Sequence, residues 1–296
     1  MKLSLRAVLP LTALAFSIGA GTVYYTVDGS PDAQRPNLDV SAQGPAAKAQ
    51  VAKSYVGDPD DPATWRLPIE AYMATPVQAR VVSSARDELF DQCMQEAGYP
   101  DWKPAPDLPQ IGGKTLTDWR YGIHDAELAS TRGYHPAQGE QEAYDAAMTE
   151  GAVDESGAPN SAVSACATKV DSDVPTVQPE GIVQQVSGEA FSESRKNSEV
   201  VAAFAKWSAC MTGKGYSYKA PMDANDDPRF ADSTEVSRLE IDTATADINC
   251  REEADVTRTW FDVESEIQRT KISTHLKAFN LAAETAKQAV AKAQAV

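Results

Sequence analysis

The residues best suited to chemistry are four cysteines and a small group of histidines and aspartates. Cys93 lies in "DQCMQEAGYP" (91–100) and Cys210 in "SACMTGKGYS" (208–217), so the chain writes Cys-Met, three residues and Gly-Tyr twice. Cys166 and Cys250 follow, one behind each copy, at successive spacings of 73, 44 and 40 residues. Zinc sites use close Cys-x2-Cys or His-x3-His pairs, and redox relays use Cys-x-x-Cys; neither spacing occurs. Disulfides remain. Four cysteines allow three connectivities, and a duplicated module selects Cys93–Cys166 and Cys210–Cys250. Each bridge would then contribute about 4 kcal/mol by constraining the unfolded chain.

The second group sits in "TLTDWRYGIHDAELASTRGYHPA" (115–137), where Asp118, His124, Asp125 and His135 could supply an acid and a base. Hydrolysis also needs a nucleophile or a metal. The chain has no Gly-x-Ser-x-Gly elbow, no His-Glu-x-x-His and no phosphate loop, so the two histidines read as turn or surface hydrogen-bonding groups. No catalytic residue, cofactor or metal ligand is assigned. "DANDDPRFADSTE" (223–235) places Asp223, Asn225 and Asp227 at alternate positions, but Pro228 stands where a calcium loop needs glycine and Thr234 where it needs glutamate. Tyr99, Trp102, Trp119, Tyr121 and Tyr134 suit a glycan platform or, more simply, a core.

Helices must position these groups. Thr75-Pro76 fits an N-cap with proline at the first helical position. Val82, Ala85, Leu89 and Cys93 then recur at helical spacing, which turns Cys93 inward, and Gly98 supplies the stop. Asn197 or Ser198 starts a second such helix through Val200, Ala203, Phe204 and Trp207, which Gly213 or Gly215 ends. The repeated phrase thus reads as a buried cysteine near a helix end, followed by its stop signal. Asp125–Ser130 predicts a short helix closed by Gly133, and "PDWKPAPDLPQIGGK" a proline-rich surface loop. A cap at Ser233 or Thr234 should open the last helical region.

At the N-terminus, Lys2 and Arg6 precede an uncharged run from Ala7 to Tyr25. That pattern reads as an export signal, cleaved after its small residues or retained as a membrane anchor. From there to residue 63, Asp, Pro, Gly and Ala dominate without hydrophobic periodicity, which predicts a disordered tether. The formal charge of −16 disfavours nucleic acid and anionic lipid as partners. The C-terminal region lacks proline and glycine from Thr234 onward. Its apolar stripes, with a five-residue step from Ile267 to Ile272, suggest a helix approaching ~90 Å at 1.5 Å per residue. Arg269, Lys271, Lys277, Lys287 and Lys292 against Glu284 make its end basic. That end reads as an exposed coiled-coil-like arm for a protein partner or self-association.

"LPIEAYM" (67–73), "RYGIHDA" and "GYHP" (120–136), "FAKWSACM" (204–211), "PMDANDDPRF" and "EIDTATADINC" together resemble a group of exported proteins of actinomycetes. The resemblance covers roughly residues 65–270. It implies export and brings no activity or catalytic residue with it.

The expected fold is therefore mainly α, a disulfide-linked helical body with a long C-terminal helix. Residues 1–25 form the signal peptide or anchor, 26–63 the linker, 64–174 and 175–267 two helical segments, and 268–296 the basic arm. The expected role is that of a non-catalytic extracytoplasmic cell-envelope protein that binds or scaffolds a protein. Membrane contact is expected only through the N-terminal segment. An envelope hydrolase using Asp118, His124, Asp125 and His135, and a glycan-binding module, are the alternatives.

Overall fold

The computed structural model describes residues 51–151, 156–179 and 181–296. The expected signal or anchor (1–25) and most of the tether lie outside those residues. The fold is mainly helical, with no strand among the described residues. Its helices are α1 (Pro76–Glu96), α2 (Ala126–Arg132), α3 (Gln138–Gly151), α4 (Asn160–Asp173), α5 (Ile182–Ser194), α6 (Ser198–Gly213), α7 (Pro221–Asn225), α8 (Arg238–Glu253), α9 (Val256–Thr274) and α10 (Leu276–Ala293).

The repeated phrase folds into one motif twice. At the end of α1, Gly98 adopts φ 92°, its N–H donates to Gln95 O, and Tyr99 N–H reaches back to Met94 O at 2.9 Å. At the end of α6, Gly215 adopts φ 94°, donates to Thr212 O, and Tyr216 N–H donates to Met211 O at 2.9 Å. Both are Schellman caps, with methionine three positions inside the helix and tyrosine just outside it. The expectation of a buried first cysteine is corrected here. Met94 and Met211 are fully buried, whereas Cys93 and Cys210 are only half-buried; the buried cysteines are Cys166 and Cys250. A cysteine beside the inward methionine is turned to the flank of the helix, where it can meet a neighbour.

Those neighbours are α4 and α8. Cys93 is bonded to Cys166 and Cys210 to Cys250, each with Cα atoms 5.7 Å apart. Non-reducing peptide mapping should recover these two pairs and no free thiol; a peptide joining Cys93 to Cys210 would overturn the assignment.

α9 forms the centre of the body. Trp260 is fully buried against Phe191, Phe204 and Tyr121, with ring centroids 5.1, 5.1 and 5.4 Å away, and its indole N–H donates to Ser194 Oγ at 2.7 Å. Phe261 packs edge-on against Trp65 at 4.9 Å. α5, α6 and α8 surround α9, and α2 lies on α8. The segment before Cys166 and the segment after it therefore share one core, to which Trp65, Leu67, Ile69, Tyr121 and Tyr134 all belong. A second apolar cluster joins α1 to α10 through Val82, Ala85, Val290 and Ala293. A third surrounds the first disulfide with Met94 and Trp102.

Two boundaries differ from those expected. Residues 51–63 belong to the body rather than to a tether, since Val51, Ala52 and Val56 pack on the core and Tyr55 pairs with Arg66 in an isolated bridge. Apolar residues spaced too sparsely to show periodicity are enough here because they dock on a finished surface.

The chain ends in a long helix as expected, but the continuous ~90 Å rod is divided into three helices. Asp255 takes a left-handed conformation (φ 50°, ψ 40°) between α8 and α9, and His275 (φ −116°, ψ 27°) breaks α9 from α10. Aspartate is one of the few side chains that visits this region readily, so a turn forms without glycine or proline. The five-residue step at Ile267–Ile272 precedes the break at His275. The expected arm is thereby folded back: Phe279, Ala289, Val290 and Ala293 are buried, and Phe279 meets Tyr72 edge-on at 5.1 Å. Its basic residues are partly engaged within the chain, Lys271 by Glu189 and Glu193 and Lys292 by Ser172 O.

Candidate functional site

The segment from Lys114 to Pro136 crosses the core and carries the histidines. Thr117 Oγ1 donates to Trp65 O at 2.9 Å, and Tyr121 O–H donates to Glu264 at 2.9 Å, which ties the loop at both faces. Asp118 sits between, nearly buried, and accepts from the Lys114 N–H and from His124 Nε2 at 2.6 Å. Burial alone would raise its carboxyl, but the His124 and Lys114 hydrogen bonds win and hold it below the ordinary range. Asp118 and His124 are thus brought together.

Asp125 and His135 are used elsewhere. Asp125 is the N-cap of α2, accepting the Leu128 N–H at 2.9 Å, and Gly133 closes that helix. His135 lies against α8, its Nε2 3.4 Å from Glu240 Oε1. Of the aromatics, Trp102, Tyr121 and Tyr134 are buried, and Trp102 stacks on Phe90 at 4.5 Å; they pack the interior rather than face a glycan. Asp223 accepts the Ala220 N–H and Asp227 engages Arg229 and Tyr218. Among the described residues no cluster of three or more His, Cys, Asp or Glu is placed to hold a metal.

Sequence reasoning missed the largest polar constructions, which are inside. Asp247 on α8 accepts from Arg251 Nε (2.7 Å), Trp207 Nε1 (2.8 Å) and Tyr134 O–H (3.2 Å). The Arg251 guanidinium also donates to Tyr121 O and to Pro221 O, and lies so close to Gly122 (φ 108°) that any β-carbon there would strike it. Glu264 on α9 receives Arg120 through three contacts, the shortest 2.6 Å, together with Tyr121 and Gln268. Gln268 in turn accepts the Ile69 N–H at 3.1 Å. Burial and these carboxylates push the Tyr121 and Tyr134 phenols well above their ordinary range. These charges are consumed in holding the loop, α8 and α9 together.

The described surface includes a concavity of a different kind. A groove of about 420 Å³ runs between α1 and the end of α10, lined by Val77, Arg80, Val81, Ser84, Glu88 and Val296 among others. Val77 is 61% exposed, Val81 37% and Val296 50%. Arg80 is exposed and has no carboxylate, carbonyl or ring partner among the described residues. By contrast Arg66, Arg86, Arg132, Arg195 and Arg238 are all engaged.

Comparison of the chain with protein-family models, curated proteins and solved structures found no match. The two disulfides mark a chain that matures in an oxidising, extracytoplasmic compartment. Among the described residues no helix is long and apolar enough to cross a membrane.

Proposed function

We propose that this chain is a non-catalytic, extracytoplasmic cell-envelope protein that binds a protein partner through the groove between α1 and α10. Its N-terminal basic and apolar segment directs export and either leaves the body secreted or anchors it. The observation that carries the binding role is the exposed Val77–Val81–Val296 edge beside the unpaired Arg80. Exposed apolar side chains in a concave setting mark interaction sites. A free guanidinium among them asks for a carboxylate. The partner therefore presents an apolar residue next to an acidic one. The Asp118–His124 contact favours the hydrolase alternative, but the groove contains neither residue.

The test uses the oxidised, exported chain with a photocrosslinker at Ser84. Wild type should give a discrete adduct, with a protein of the envelope or with a second copy. Val81→Asp should reduce its yield by about tenfold or more, the effect of burying an unpaired charge at an apolar contact. Leu239→Asp, at a distant exposed apolar position, should leave the yield unchanged. No adduct, or equal loss in both variants, would overturn the docking surface. A wall-hydrolysing activity that falls ~100-fold in His124→Ala would establish the enzyme instead.

A further inference from the structure

His135 and Glu240 are buried side by side, and each has an atom with no hydrogen-bond partner. The Glu240 side chain is 1% exposed and that of His135 is 12%. Glu240 Oε1 accepts the Tyr134 N–H at 3.0 Å, while Oε2 has no hydrogen-bond partner, and neither has His135 Nε2. The two side chains face each other, with Nε2 3.4 Å from Oε1. Gly133, at φ 60°, makes the approach possible, since a β-carbon there would lie 2.4 Å from Glu240 Oε1. An ionised carboxylate would be costly at this depth even beside the Tyr134 and Ser237 amides, and so would an imidazole nitrogen facing it with no proton between them.

We infer that Glu240 and His135 share a single proton, and that this pair is a latch holding the corner between α2 and α3 on α8. With one proton the carboxyl O–H donates to the imidazole nitrogen, or, if the proton crosses, the imidazolium donates to the carboxylate. Either way the pair is neutral and His135 Nε2 is satisfied. Loss of the proton leaves a buried carboxylate held by the Tyr134 and Ser237 backbone N–H groups. Gain of a second leaves an imidazolium facing a neutral acid.

The surroundings bring the two groups' proton affinities together. Burial pushes Glu240 up, against the pull of the Tyr134 and Ser237 amides and the Arg132 charge. Burial and Arg132 push His135 down, with the Phe230 backbone and Asp232 acting the other way. The other charged groups near the pair are committed. Arg132 donates to Pro136 O and Ser233 O, Asp232 accepts from Thr234, and the Tyr134 phenol is bonded to Asp247.

The raised Glu240 contributes stability at low pH that is lost as pH rises through its folded value. The lowered His135 contributes stability at high pH that is lost as pH falls through its folded value. The latch is therefore closed in a mildly acidic window in which the pair holds one proton. It loosens on alkalinisation. α2 packs on α8, and the pair lies where α2 ends, so the external proton concentration sets how firmly the α2–α3 corner is held.

Hydrogen exchange, corrected for intrinsic rates, tests this on the full oxidised chain. Protection of residues 129–135 should fall by roughly tenfold or more between about pH 5.5 and about pH 8, the effect of one pKa unit of differential protonation. In Glu240→Gln the side chain can neither gain nor lose a proton, so protection should be the same at both pH values. Wild-type protection that does not change, or the same fall in the variant, would overturn the latch. Should the variant not fold, wild type still decides by nuclear magnetic resonance. The Glu240 carboxyl carbon and the His135 ring nitrogens must then titrate with one shared midpoint, and independent midpoints would refute a shared proton.

Discussion

Replacing Phe279 with serine should destabilise the whole body by about 4 kcal/mol or more, in the range for emptying a buried aromatic site. Phe279 is fully buried and meets Tyr72, which ends the short 3-10 helix Pro68–Tyr72 leading into α1. The substitution removes the ring and leaves a hydroxyl without a partner. Domains have about 5–15 kcal/mol in hand, so this one change should bring the protein close to unfolding. Adding Leu276→Ser, at a half-buried position, should deepen the loss. Leu281→Ser, at a site 69% exposed on the same helix, should leave the urea midpoint nearly unchanged. If Phe279→Ser also left it unchanged, α10 would be a loose arm rather than part of the core.

Asp247→Ala should be as damaging by a different route. Arg251 is 3% exposed and would keep its charge without a counter-ion, while the Trp207 indole N–H and the Tyr134 phenol would lose their acceptor. Removing one member of a buried pair costs about 3–5 kcal/mol. The double variant Asp247→Leu/Arg251→Met should cost clearly less than the sum of its parts, because no charge remains stranded. Urea denaturation of the four species closes the cycle. A single Asp247→Ala loss under about 1 kcal/mol would mean that water reaches the pair and that its burial is overstated.

These two sites also show what was legible in the sequence. The caps at Thr75 and Gly98, and those at Asn197 and Gly215 as one of two choices each, could be read because local backbone chemistry dictates them, whereas α8 is capped by Ser237 rather than Ser233 or Thr234. Phe279 was visible as part of an apolar stripe, but the surface it packs against comes from Tyr72, some two hundred residues earlier, and periodicity carries no address. α8 misleads more deeply. Its inward stripe is Glu240, Thr243, Ala244, Asp247 and Arg251, whereas Leu239 is 44% exposed. An i,i+4 Asp–Arg pair normally decorates a solvated face, so the pattern pointed outward. The signal available was negative: α8 has no continuous apolar stripe of its own, yet contains a cysteine that must be buried. The break at Asp255 is likewise a residue-level choice that composition cannot announce.

The order of the disulfides has a consequence for biogenesis. Each bridge joins a cysteine to the next one along the chain, so the two loops follow one another and never interlock. A polypeptide threaded through a translocation pore, amino end first, offers Cys93 a single possible mate when Cys166 arrives. The first bridge can close during the 44 residues that pass before Cys210 appears. The second pair then forms with no competitor, and an oxidant that simply couples successive thiols makes the native set without reshuffling. The aromatic interior cannot keep that pace, since Trp65 and Tyr72 wait for Phe261 and Phe279 near the trailing end. If the chain is exported as proposed, crosslinking precedes consolidation, and the chain is held in register by sulfur before it is held by packing.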